Sequence, residues 1–175
     1  MEGLVLLVVK MKKQKEKNKK LNLVLDVDGV LTTGQFLYDS KGKAFKIFGA
    51  HDSDGLKLLK DKLNIYFISA DARGFPITKK RVEDMGFKAT LVTERNRHKY
   101  VKEKFGFKNT IFIGDGIFDA PVIRDCLFGI APANARVEAK QWADYITPSN
   151  SGQGAVCDAC IKINKVFFGG KLNLV

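Results

Sequence analysis

Five short apolar runs, separated by stretches with helical signals, constrain this chain more than any other feature: 21–25 (Leu-Asn-Leu-Val-Leu), 65–68 (Ile-Tyr-Phe-Ile), 110–113 (Thr-Ile-Phe-Ile), 127–130 (Leu-Phe-Gly-Ile) and 144–146 (Asp-Tyr-Ile). Short apolar runs bounded by Asp and Gly read as strands buried on both faces. Between them, Asp54 can cap a helix carrying Leu56, Leu58, Leu59 and Leu63, Pro76 suits a first helical turn leading to Val82 and Met85, and Gly86 and Gly106 stand where helices stop. Strands alternating with helices predict an α/β fold, a Rossmann-like three-layer sandwich around a mostly parallel sheet. One segment departs from the alternation. Residues 35–38 and 43–48 flank Asp39-Ser40-Lys41-Gly42, which predicts a β-hairpin directly after the first sheet strand.

The 175 residues suffice for one domain, expected over 21–168, with a lysine-rich extension at 1–20 and a short tail at 169–175. A hydrophobic content of 45% excludes disorder of the whole chain. The longest apolar run, 4–9, is far short of the ~18 residues of a membrane span, so no membrane partner is expected. Glu2 and the lysines that follow this run do not suit a signal peptide. The three cysteines, Cys126, Cys157 and Cys160, cannot all pair, which suits reduced thiols and a cytoplasmic location. The net charge of +11 invites a nucleic-acid reading, but residues 1–20 hold seven lysines against Glu2 and Glu16 and so carry +5 of it. A solvated extension is the expectation for that segment, or else Met11 is the start of translation.

The first run ends in Asp26-Val27-Asp28-Gly29, and in extended backbone the two Asp side chains point to the same side. The run at 110–113 ends in Gly114-Asp115-Gly116-Ile117-Phe118-Asp119. Parallel strands bring both carboxylate pairs to one sheet edge, where ligands of such folds bind. Any one Asp could be a helix cap or turn residue. Several converging carboxylates need a cation, and a hard divalent ion such as Mg²⁺ suits an all-oxygen donor set.

Asp-Val-Asp-Gly-Val-Leu-Thr at 26–32 and Gly-Asp-x-x-x-Asp at 114–119 resemble the first and fourth motifs of the haloacid dehalogenase superfamily of phosphohydrolases. The hairpin, Ala-Pro-Ala-Asn-Ala at 131–135, Ala-Asp-Tyr-Ile-Thr at 143–147 and Ser-Gly-Gln-Gly-Ala-Val at 151–156 narrow the resemblance to the branch without a cap domain that acts on octulosonate 8-phosphate and nine-carbon sugar-acid phosphates. The resemblance implies a Mg²⁺-dependent phosphomonoesterase for a small phosphorylated sugar acid, assembled as a homotetramer. It implies Asp26 as nucleophile and metal ligand, Asp28 as acid and base with a backbone carbonyl on the metal, and Asp115 as a further ligand. Asp119 is implied as an outer or additional carboxylate. Ser69 matches the second motif, which binds the transferring phosphoryl group, with Thr32, Ala70 and Arg73 beside the substrate. The third-motif cation is Arg97 or Lys99.

The sequence departs from the family pattern where Ala70-Asp71-Ala72 precede Arg73 and where Gly116 replaces a carboxylate. Two other functions keep some of these residues: a nucleic-acid 3′-phosphatase, which would use the lysine run, and a catalytically silent regulatory module. The Cys157/Cys160 pair lacks a second pair for zinc and reads as structural. His51 is expected in an exposed loop, His98 on a surface, and 151–156 as a turn into the last helix.

Overall fold

β1 (Asn22–Asp26) is buried at every residue, because parallel strands flank it on both sides. The computed structural model of the chain describes residues 20–170. The lysine-rich extension up to residue 19 and residues 171–175 of the expected tail lie outside the described residues. One sheet runs in the order β5 (Ala89–Leu91), β4 (Asn64–Ser69), β1, β6 (Thr110–Ile113), β7 (Phe128–Ala131) and β8 (Tyr145–Ile146), and every pairing in it is parallel. The expected strands therefore form, with Leu21, Leu127 and Asp144 just outside them. The β5 strand is additional: three residues, two of them exposed, paired among the described residues with β4 alone.

β2 (Thr32–Asp39) and β3 (Gly42–Phe48) form the expected antiparallel hairpin, and among the described residues nothing larger is inserted into the fold. Helices α1 (His51–Leu59), α2 (Phe75–Asp84), α3 (Arg97–Lys104), α4 (Ala120–Asp125), α5 (Val137–Lys140) and α6 (Ala155–Phe168) connect or follow the strands. Two apolar clusters cover the sheet. One joins Leu23, Leu25, Ile111 and Ile113 to Leu56, Leu59, Val156 and Ile163; the other joins Val24, Ile68 and Phe112 to Val101, Val122 and Ile123. Each such fully buried side chain contributes roughly 1.5–3 kcal/mol relative to its exposed form. No helix among the described residues is long and apolar enough to cross a membrane.

Asp54 is not the cap of α1. The helix starts three residues earlier, at His51, and the exposed Asp54 pairs with Lys57 at 3.0 Å instead. His51 is thus helical rather than in a loop, although exposed as expected. The carboxylate with a capping role is the fully buried Asp52, which accepts the N–H groups of Val156 and Cys157 at the start of α6. A Cβ at Gly55 would stand 2.6 Å from the Cys157 Cα, so only glycine permits this close crossing of α1 and α6. Cys160 is fully buried in the same contact, and burial raises both its thiol pKa and that of Cys157, as a structural role requires.

Candidate active site

β1 and β6 end at the same edge, so the backbone delivers Asp26, the last residue of β1, beside the loop that carries Asp115 and Asp119. The approach is close enough to demand glycine at position 29. Its φ is +86°, and a Cβ there would meet the Asp115 carboxylate at 2.2 Å. Thr32 closes this turn by accepting the N–H groups of Gly29 and Gly34, each at 3.1 Å.

Asp26 is 5% exposed; its Oδ1 accepts the Val27 N–H at 2.8 Å. Arg97, at the start of α3, grips it with two nitrogens at 2.9 and 3.1 Å and also donates to Asp119. The other Asp119 oxygen accepts the N–H groups of Asp115 and Gly116 at 3.0 and 2.9 Å, which tightens the turn before α4. Oxygens of Asp26, Asp115 and Asp119 lie within 4.8 Å of one another. Both oxygens of Asp26 and both of Asp119 already accept hydrogen bonds from the protein, so a cation shared by the three carboxylates would draw on their remaining lone pairs.

One guanidinium does not balance three carboxylates. Burial, with the Asp119 charge second, pushes Asp115 up to about 7 against the pull of Arg97. Burial also raises Asp26 despite Arg97, with Asp119 and Asp115 adding to the effect. For Arg97 burial works downward, but Asp26 and Asp119 outweigh it and raise the pKa, so the side chain stays charged. The donor set and its unbalanced charge therefore fit a hard divalent ion. A carboxyl raised on folding keeps its proton where the unfolded chain has lost it. The metal-free protein should thus lose stability as pH rises from the ordinary carboxyl value of 3.8 through about 7. A bound ion removes this penalty, so Mg²⁺ is predicted to raise Tm more at about pH 8 than at about pH 5. Thermal melts with equal Mg²⁺ shifts at both pH values would contradict this.

Asp28 points elsewhere. Its Oδ1 meets Lys46 Nζ at 2.7 Å, and its Oδ2 accepts the Ser69 hydroxyl at 2.9 Å. Lys46 and Lys43, both from β3, also pair with Asp71 at 2.8 and 2.5 Å, and Lys43 lies 3.4 Å above the Phe36 ring. Burial alone would raise Asp71, yet the two lysines outweigh it and hold the carboxyl at about 2. A cleft of about 550 Å³ opens over these groups, with Asp26, Asp28, Arg97 and Asp115 among its lining and Ala70, Arg73 and Phe118 around them.

Three expected site residues lie outside this cleft. Lys99 is exposed, 4.0 Å from Glu103 on the outer face of α3; the helical twist turns it away while burying Arg97. Thr32 is fully buried, with its hydroxyl accepting backbone N–H groups of its own turn. Ser69 is fully buried too, and its hydroxyl donates to Asp28 rather than facing the cleft. Lys46 and the pairing of Asp71 were not expected. His98 pairs with Asp125 at 2.8 Å, away from the site.

The profile of the haloacid dehalogenase-like hydrolase family matches residues 9–159. The 3-deoxy-D-manno-octulosonate 8-phosphate phosphatase of Haemophilus influenzae is 33% identical over 147 residues, 81% of this chain and 81% of its own length. The phosphatase of that name from Escherichia coli K12 is 28% identical over 144 residues, 79% of this chain and 76% of its own. Among solved structures, the phosphatase of that name from Moraxella catarrhalis, in complex with a magnesium ion, a phosphate ion and KDO, superposes with a TM-score of 0.76. The two are 27% identical, over 90% of this chain and 91% of the other. A cobalt-bound form of the Haemophilus influenzae phosphatase gives a TM-score of 0.74 at 27% identity, again over 90% and 91%.

Proposed function

The chain belongs to the haloacid dehalogenase-like hydrolase family, and from that premise we propose that it is a Mg²⁺-dependent phosphomonoesterase acting on a small sugar-acid phosphate. The substrate is octulosonate 8-phosphate, as in the names of its relatives, or a nine-carbon ulosonate 9-phosphate. The observation that carries the proposal is the division of labour between two carboxylates two residues apart. Asp26 sits with Arg97, Asp115 and Asp119, whereas Asp28 is turned to Ser69 and Lys46. Environments that differ this much suit a nucleophile and a proton carrier respectively.

In the first step an Asp26 oxygen forms a bond to phosphorus in line with the leaving oxygen. The phosphorus–oxygen bond to the sugar breaks, and Asp28 gives its proton to that oxygen. In the second, a water oxygen bonds to phosphorus, the bond to Asp26 breaks, and Asp28 takes the water's proton. Arg97 orients the nucleophile and opposes the burial that raises its pKa, and Ser69 holds Asp28 by the bond it donates. Mg²⁺ held by the Asp26 and Asp115 carboxylates and the Asp28 carbonyl would supply Lewis-acid neutralisation of the phosphoryl oxygens. Arg73, on the cleft wall, is the cation offered to the substrate's carboxylate.

The hairpin shows Leu37, Tyr38, Phe45 and Ile47 to solvent, each at least 41% exposed. Copies of this chain cover that apolar face in a cytoplasmic homotetramer, a prediction that light scattering checks: a monomeric mass would refute it. The test of the activity is phosphate release with and without Mg²⁺ from octulosonate 8-phosphate, nine-carbon 9-phosphates, hexose phosphates and a 3′-phosphorylated oligonucleotide. Mg²⁺-dependent preference for one ulosonate phosphate is expected. Preference for the oligonucleotide, or no turnover at all, would overturn the proposal.

A further inference from the structure

Lys46 is a buried ammonium inside the site that the family motifs did not single out. Its side chain is 0% exposed, and its ammonium lies against three oxygens from three parts of the fold, as two ion pairs and one hydrogen bond. These are Asp28 Oδ1 at 2.7 Å after β1, Asp71 Oδ2 at 2.8 Å after β4, and Thr78 Oγ1 at 2.8 Å in α2. The ammonium is buried and does not line the cleft, so Lys46 does not act by binding a substrate.

Stability is a weak reason to bury such a group, because a buried ion pair rarely outperforms a well-packed apolar side chain. Asp71 has a second cation of its own, since Lys43 also pairs with it at 2.5 Å. The contact that Lys46 adds is the one to Asp28 Oδ1. With Ser69 donating to Oδ2 and the Lys46 ammonium 2.7 Å from Oδ1, Asp28 is held among these partners and is not one of the three carboxylates that can share an ion. Without Lys46, Asp28 would be free to swing toward that ion as a fourth carboxylate.

We propose that Lys46 is a positioning residue: from the hairpin it holds the Asp28 carboxylate apart from the Asp26, Asp115 and Asp119 cluster, in the place where it can meet the leaving oxygen. This rests on the assignment of Asp28 as proton carrier. A proton donor matters greatly for an alkyl leaving group and little for nitrophenolate, which departs without protonation.

The test compares Lys46→Met with wild type on octulosonate 8-phosphate and on 4-nitrophenyl phosphate, alongside crystal structures of both proteins. The expected result is a loss of about 100-fold in kcat on the sugar phosphate, with KM little changed and at most about a fivefold loss on the nitrophenyl ester. Lys46→Arg, which keeps the charge, should restore part of the alkyl-ester rate. In the variant crystal the Asp28 carboxylate should be displaced toward Asp26. Equal losses on both esters, or an Asp28 that does not move, would overturn the proposal. If Lys46→Met does not fold, Thr78→Val removes one acceptor while keeping every charge, and a loss of about fivefold confined to the alkyl ester is expected. An equal effect of Thr78→Val on both esters, or none, would overturn it likewise. If wild type hydrolyses neither ester, the phosphatase assignment fails, and the crystallographic position of Asp28 alone decides the role of Lys46.

Discussion

Asp26→Asn is expected to lower kcat on the sugar phosphate by about 10⁴-fold or more, because the amide cannot form the covalent intermediate. The fold should survive. The amide keeps the shape of the side chain it replaces, and Arg97 retains Asp119 as a partner when the charge at position 26 is gone. Burial already raises the Asp26 pKa, and two neighbouring carboxylates raise it further, so neutralising this position relieves repulsion. A Tm equal to or above that of metal-free wild type, together with lost turnover, separates chemistry from architecture. Hydrolysis at the wild-type rate would show that another group attacks phosphorus.

Arg97→Met should harm both. Arg97 is 4% exposed and is the cation between Asp26 and Asp119, so its removal leaves two buried carboxylates uncompensated. Breaking a buried pair from one side costs about 3–5 kcal/mol, which for a domain of this size lowers Tm by roughly 6–20 °C. Turnover should fall at least about 100-fold, since the nucleophile loses its orienting fork. Arg97→Lys should be intermediate, because one ammonium cannot reproduce the two parallel bonds to Asp26 while still reaching Asp119. Thermal melts and kcat measured on the same samples check both effects. A Lys99 substitution with a comparable loss would contradict this assignment, because Lys99 stands on the outer face of α3.

The parts of this fold that were legible in the sequence are those written in runs of apolar residues. The runs at 21–25, 65–68, 110–113, 127–130 and 144–146 announce parallel strands to within a residue or two, and the Asp-x-Asp and Gly-Asp-x-x-x-Asp spacings mark the sheet edge they share. β5 left no such mark. Its Ala-Thr-Leu is three residues long at the sheet's rim, too short for a period to be counted. Asp54 misled because a capping residue inside a helical stretch looks the same wherever the first turn begins, and here the carboxylate at work is Asp52.

Lys46 was hidden by the ordinary expectation that lysine faces water. The alternation in β3 did hold a signal. Phe45 and Ile47 alternate with Lys46, so a hairpin whose apolar face points outward must turn Lys46 inward. Arg97 and Lys99 were equivalent in one dimension, two cations two residues apart, until the helix placed them on different faces. Thr32 and Ser69 illustrate the reverse: residues at motif positions whose hydroxyls are engaged within the protein, on the turn N–H groups and on Asp28.

The role of Asp26 as carrier of the phosphoryl group between substrate and water is central to this mechanism. It is tested most directly by mixing the protein with octulosonate 8-phosphate and Mg²⁺, quenching in acid during the first turnover, and mapping phosphorylated peptides by mass spectrometry. A phosphoryl group is predicted on the peptide containing Asp26 in the wild type and none in Asp26→Asn. Phosphate release with no modified peptide at any quench time, or with the label on a different residue, would contradict it.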